Sequence, residues 1–66
     1  MTMWRTEFWE RMERHLGATY ADSFARDYVI AALGERTVHQ ALGAGYDTRV
    51  VWRAVCEVLR LPDHER

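Results

Sequence analysis

The sequence predicts an all-α fold: a small bundle of three main helices plus one short helix, with a helix-turn-helix-like C-terminal half. Three observations carry that expectation. Apolar residues recur at helical spacing, as in Phe8, Met12 and Leu16, which puts them on one face at about 3.6 residues per turn. Stop residues follow each apolar run, at Gly17, Gly34, Gly45 and Pro62, and divide the chain into four segments. No segment alternates apolar and polar residues in the manner of a half-buried strand.

The first helix is expected to begin at Thr6 as N-cap, with Glu7 in the first turn where a negative charge suits the macrodipole. Phe8, Met12 and Leu16 form its inner face, with Trp9 beside them. Glu7→Arg11 and Glu10→Arg14 are i,i+4 pairs on the outer face, each worth about 0.2–0.5 kcal/mol. Gly17 ends the helix as a C′ residue.

For the second helix, Thr19 with Asp22 resembles a capping box. Ala21, Phe24, Ala25, Tyr28 and Ala32 then share a face, widened by Val29 and Leu33, and Asp22→Arg26 is a further pair. Gly34 is the expected stop. Ile30 lies off that face, which predicts a central helix buried on more than one side.

Thr37 and Gln40 make a Thr-x-x-Gln capping box that opens the short helix through Val38, Ala41 and Leu42. Gly43 lies in its last turn and Gly45 is the stop. Asp47 caps the final helix, where Val51, Ala54, Val55 and Val58 face one way with Leu59 alongside. Pro62 ends it, and residues 63–66 form a polar tail expected to fray.

Composition bounds the function. The 66 residues suit a single domain spanning 1–66. A chain of this size buries only roughly 60% of its unfolded surface. That leaves little interior for a substrate pocket of ~300–1,000 Å³. At 48% hydrophobic residues the chain is too apolar for disorder. Its formal net charge of −1 creates no global field for nucleic acid or an anionic membrane. All nine basic residues are Arg, and Lys and Asn are absent, which fits the codon usage of a GC-rich genome. The single Cys56 has no disulfide partner and belongs to no CxxC, as expected in a reducing cytoplasm. Met1 to Arg14 carries charges every few residues and does not read as a signal peptide. No stretch approaches the roughly 18 apolar residues of a membrane span. A cytoplasmic protein without a membrane partner is the expectation.

Catalytic residue types are scattered. Ser23, Cys56, His15, His39 and His64 fall in different elements, and no strained nucleophile turn presents Ser23. His15, His39 and Cys56 lack metal-ligand spacing, and there is no Gly-rich phosphate loop. The expectation is no enzyme, no cofactor, no metal and no small-molecule substrate.

Surface chemistry points to a partner. Arg49, Arg53 and Arg60 fall within about 40° of one another on a continuous helix, opposite the Val51/Val55/Val58 stripe. Trp9 and Trp52 lie about 100° from the axes of their core faces, whereas Phe8, Phe24 and Tyr28 serve the core. Interfaces are enriched in Trp and Arg. Arg49, Trp52, Arg53 and Arg60, with Trp9 as second choice, are therefore the candidate surface for an unidentified protein partner. The alternative is DNA contact by the last helix. Ala41, Gly45, Val51 and Ala54 have helix-turn-helix spacing, and a reader of this type places its second helix in the major groove. The near-neutral charge counts against it, because phosphate neutralisation supplies non-specific binding.

The order of motifs carries a resemblance. Thr6-Glu7-Phe8-Trp9-Glu10-Arg11-Met12 is followed by Gly17-x-x-Tyr20-Ala21-x-Ser23 and Ala25-x-Asp27. Leu33-Gly34-x-Arg36-Thr37, Ala41-Leu42-x-x-Gly45 and Val51-Trp52-Arg53-Ala54-Val55-Cys56 complete the set. Over Thr6 to Pro62 this resembles a family of short actinobacterial proteins known only as a domain of unknown function, often encoded near the recombination proteins RecA and RecX. The resemblance implies a compact helical domain and brings no catalytic residue. A role touching recombination or repair through a partner is an association by neighbourhood alone. Two departures stand out: Thr2-Met3-Trp4-Arg5 replaces a shorter lead, and Thr48 stands where many members carry Pro.

Overall fold

A computed structural model describes residues 3–62. The element order is α1 (Arg5–Leu16), α2 (Ala18–Asp27), a 3-10 turn (Ala31–Leu33), α3 (Val38–Gly43) and α4 (Thr48–Leu59). Among the described residues there is no strand, and the one extended pairing is an isolated antiparallel bridge between Ile30 and Arg36. The all-α bundle of three main helices and one short helix is what the chain forms. The tail at 63–66 and His64 lie outside the described residues.

α1 starts one turn-fraction earlier than its sequence cap. Trp4 is the N-cap, its carbonyl accepts from the Phe8 N–H at 3.0 Å, and Thr6 lies inside the helix. Tertiary bonds explain the difference. The Arg5 guanidinium donates to the Leu42 carbonyl at 3.1 Å, near the C-terminus of α3, where a cation is favoured. The Thr48 hydroxyl donates to the Met3 carbonyl, and Met3 is buried. Thr48 thus ties the longer lead to the start of α4, a bond that Pro at this position has no group to make. The Glu7–Arg11 pair forms as expected, at 2.9 Å.

One residue separates α1 from α2. Gly17 donates to the Glu13 carbonyl at 2.8 Å and accepts from the Ala21 N–H at 2.9 Å, closing one helix and opening the next. Its φ of +81° is available to Gly and strained for other residues. Helix α2 therefore begins at Ala18 with no side-chain cap, and the expected Thr19/Asp22 capping box does not form. Asp22 instead pairs with Arg26 at 3.0 Å.

The largest departure is the end of α2. It stops at Asp27, not at Gly34, and Tyr28 and Ile30 are extended, with ψ of 119° and 117°. Tyr28, Val29 and Ile30 form an aromatic and β-branched run, the type that loses χ1 freedom in a helix and fits extended backbone. Ile30 is buried because the chain has turned and bonded back, its N–H donating to the Arg36 carbonyl at 2.9 Å. A helix buried on two sides is not the reason. α2 packs on α1 and α3, and the more deeply enclosed helix is α4, which packs on α1, α3 and the 3-10 turn.

α3 carries the expected capping box. Thr37 Oγ1 accepts from the Gln40 N–H at 3.1 Å, and Gln40 Oε1 accepts from the Thr37 N–H at 3.0 Å. Val38, Ala41 and Leu42 are buried. Thr37 is itself buried, so Thr37→Ala leaves the Gln40 N–H without its partner. It should cost about 1 kcal/mol, read as a lower urea midpoint at unchanged slope. An unchanged midpoint would show that the box is not holding α3.

α4 is capped by Asp47, whose carboxylate accepts from the Arg49 N–H at 2.8 Å. Its buried residues are Val51, Trp52, Ala54, Val55 and Cys56. At about 100° per residue these cover roughly 200° of the helix circumference, about twice a single-sided stripe. The helix ends at Leu59. Arg60 is left-handed at φ 56°, the Leu61 N–H reaches the Cys56 carbonyl at 3.0 Å, and the Arg60 N–H reaches Glu57 at 3.3 Å. That pair of bonds is a Schellman termination.

Candidate interaction surface

The predicted Trp–Arg surface does not assemble. Trp52 is fully buried, at 0% exposure. Phe8 meets its ring edge-on at 5.9 Å, the His15 ring lies 6.1 Å away, and the Arg11 guanidinium lies 6.0 Å from its centroid. Its place about 100° from the Val51 axis becomes interior because α1 covers that flank of α4 as well. The indole Nε1 is buried with no hydrogen-bond partner, which costs about 1–3 kcal/mol for a typical donor.

Arg49 and Arg53 are exposed on α4, as expected, but Val50 and Glu57 share their solvent face. Arg60 is exposed yet lies beyond the helix, in the left-handed cap. The expected three-Arg face is thus two Arg on a helix that also shows a carboxylate. Trp9 is half-buried, packed at 5.2 Å against Phe8 and at 5.4 Å against the His39 ring. It lines an open cleft of about 350 Å³ with His39, Glu13 and Asp22.

Trp4, the N-cap of α1, is 72% exposed, and a further set of exposed rings is grouped along α2. Tyr20, Phe24 and Tyr28 recur every four residues, with ring centroids 6.4 Å and 4.9 Å apart, the second pair stacked at 18°. Phe24 belongs to the core, while Tyr20 is 58% and Tyr28 46% exposed. The expected core position of Tyr28 is overturned because it caps α2 after the helix has ended. These rings with Ser23 and Asp27 line a shallow cleft of about 230 Å³. A second cleft of about 330 Å³ shares Tyr28 and continues over Ile30 and Ala54 to Glu57 and Val58. Val29, half exposed, stands between them in sequence and lines the second. The i,i+4 recurrence of Tyr20, Phe24 and Tyr28 was visible in the sequence. The signal that turned Tyr28 outward was the Tyr28-Val29-Ile30 run.

The catalytic residue types fall on four different helices. His15 is on α1, Ser23 on α2, His39 on α3 and Cys56 on α4, where Cys56 is buried. Among the described residues, no group of three or more His, Cys, Asp or Glu side chains is placed to hold a metal ion. No helix among them is long and apolar enough to cross a membrane.

The Arg36 side chain closes the segment from 30 to 36. Its guanidinium donates to the Leu33 and Gly34 carbonyls, at 3.3 and 3.2 Å, and to the Tyr46 hydroxyl at 3.2 Å. The Tyr46 hydroxyl in turn donates to Leu33 at 3.3 Å. This clasp fixes the chain that follows Tyr28, and so the floor of the second cleft.

A family model described as "Protein of unknown function (DUF3046)" matches residues 3–64. No curated protein and no solved structure matches the chain.

Proposed function

We propose that this chain, which belongs to the DUF3046 family, is a non-enzymatic cytoplasmic interaction module that binds another protein through the aromatic face of α2. One observation carries the reading. Tyr20 and Tyr28 stay about half exposed beside a buried Phe24, although a domain of 66 residues needs its large side chains for burial. Tyr supplies contact area at low entropic cost and is enriched at interface hot spots. Burial of Cys56, which keeps its thiol from solvent, supports a binding role over catalysis.

The test is a Tyr20→Ala/Tyr28→Ala double variant. Both rings are exposed, so the variant should keep its helical circular dichroism. Used as bait in extract from its own cells, it should lose the protein that the wild-type chain captures. Undiminished capture would refute the α2 face. The DNA alternative is examined on the same preparations, through Arg49→Glu/Arg53→Glu. A duplex-DNA mobility shift that falls steeply with salt and vanishes in that variant would replace the present reading.

A further inference from the structure

Two adjacent clefts share Tyr28, and we read them together as one groove whose chemistry specifies an occupant; this inference rests on the α2 face being a docking surface. The floor is apolar, with Phe24, Ile30 and Ala54 buried beneath it and Val58 half-buried at its far side. The rims are anionic. Asp27 borders the first cleft and Glu57 the second.

Backbone electrostatics have the same sign. Asp27 is the last residue of α2, and Glu57 with Val58 belongs to the last turn of α4. Two helix C-termini, each equivalent to roughly half a negative charge, therefore border the groove, one at each cleft. A carboxylate at a helix C-terminus is locally unfavourable. The chain's own cations offset part of this, with Arg53 one turn before Glu57 on the same solvent face of α4. Arg26 is bonded to Asp22 at 3.0 Å and stands 3.9 Å from Asp27, so it is shared between two carboxylates. The last turn of α4 contains no basic residue, and Arg60 follows one position beyond it. The exposed rings of Tyr20 and Tyr28 add faces that attract cations.

We propose that the groove docks a basic amphipathic segment of a partner protein. Apolar side chains of that segment occupy the floor over Ile30 and Ala54. Arg or Lys side chains meet Asp27 against the Tyr28 ring at one rim and Glu57 at the other. An acidic segment is repelled by the same field, and a purely apolar one leaves both rims without a counter-charge.

The probes are two short helical peptides, one of Leu, Ala and Arg, the other with each Arg replaced by Gln. They are titrated into the isotope-labelled full chain at low salt, with amide shifts and calorimetry as readouts. The Arg peptide should perturb Tyr20, Tyr28, Ala32 and Val58 and bind at least about tenfold more tightly than the Gln peptide, a difference of about 1.4 kcal/mol. Asp27→Asn/Glu57→Gln, at two exposed positions, should remove that preference and leave the helical spectrum unchanged. Equal affinity for the two peptides at the groove overturns the basic partner and leaves the docking face standing. Perturbation confined to other surfaces overturns the groove. If capture by the intact chain nevertheless depends on Tyr20 and Tyr28, the module reading survives that result; if capture is also independent of those rings, both fall.

Discussion

Trp52→Ala is expected to unfold most of the protein at 37 °C. Truncating a buried Trp costs about 3–5 kcal/mol through lost transfer energy and the cavity left behind. A domain of 66 residues has roughly 3–10 kcal/mol in total. Trp52 is fully buried and is among the largest side chains in the core, in edge contact with Phe8. The loss should appear as a collapse of the thermal midpoint and of amide-exchange protection along α4. Trp52→Phe is the informative companion. It keeps an aromatic ring, gives up some volume, and removes the indole N–H that has no partner. Relief of that donor, about 1–3 kcal/mol, should offset much of the smaller ring, leaving a net change of about 1 kcal/mol. A Phe variant as damaged as the Ala variant would mean that the indole N–H is bonded in solution. A folded Ala variant that loses a captured protein would return Trp52 to the interaction surface.

The fate of Trp52 also shows what a linear pattern conveys. Its position on α4 was legible, and so was the stripe through Val51 and Val55 that it flanks. Its burial was not, because that depends on α1 closing a second side of the helix. Signals complete within a few residues were read as they stand: the Thr37–Gln40 box, the Asp47 cap, and the Glu7–Arg11 and Asp22–Arg26 pairs. Signals that depended on competition were misread. Thr6 gave way as a cap to bonds from Arg5 and Thr48, across dozens of residues. The helical spacing of Tyr28 and Ala32 with Phe24 gave way to the extended preference of Val29 and Ile30. For the candidate surface, Arg49 and Arg53 were placed correctly on exposed α4. The exposed rings of Tyr20 and Tyr28 lie along α2 and not beside Arg49 and Arg53, because the end of α2 decides that Tyr28 remains outside.

Gly34→Ala should be the second most damaging of these changes, at about 2–3 kcal/mol. Gly34 holds φ +74° and ψ 38°, a left-handed conformation that costs a residue with a Cβ roughly 1–2 kcal/mol. A Cβ there would stand 2.5 Å from Nη1 of Arg36. The guanidinium is the mobile end of a long side chain, so it can move away without a backbone shift. Moving it, however, loosens the bonds to Leu33, Gly34 and Tyr46 that hold the segment from 30 to 36. Roughly another 1 kcal/mol goes with them. Arg60→Gly supplies the opposite sign under the same principle. Arg60 is left-handed at φ 56° in the termination of α4, and Gly is the usual residue at that place in a Schellman motif. It should raise stability by about 0.5–1 kcal/mol after the greater freedom of Gly in the unfolded chain is counted. Urea unfolding of the two variants beside the wild type tests both signs. Equal midpoints at Gly34→Ala would show that the 30–36 segment accommodates a Cβ and that its clasp contributes nothing. A substantial loss that also shifts the amides of Tyr28, Ala32 and Val58 would connect the clasp to the groove. The Arg36–Tyr46 pair, distant in sequence from Tyr28, would then be what keeps the docking floor in place.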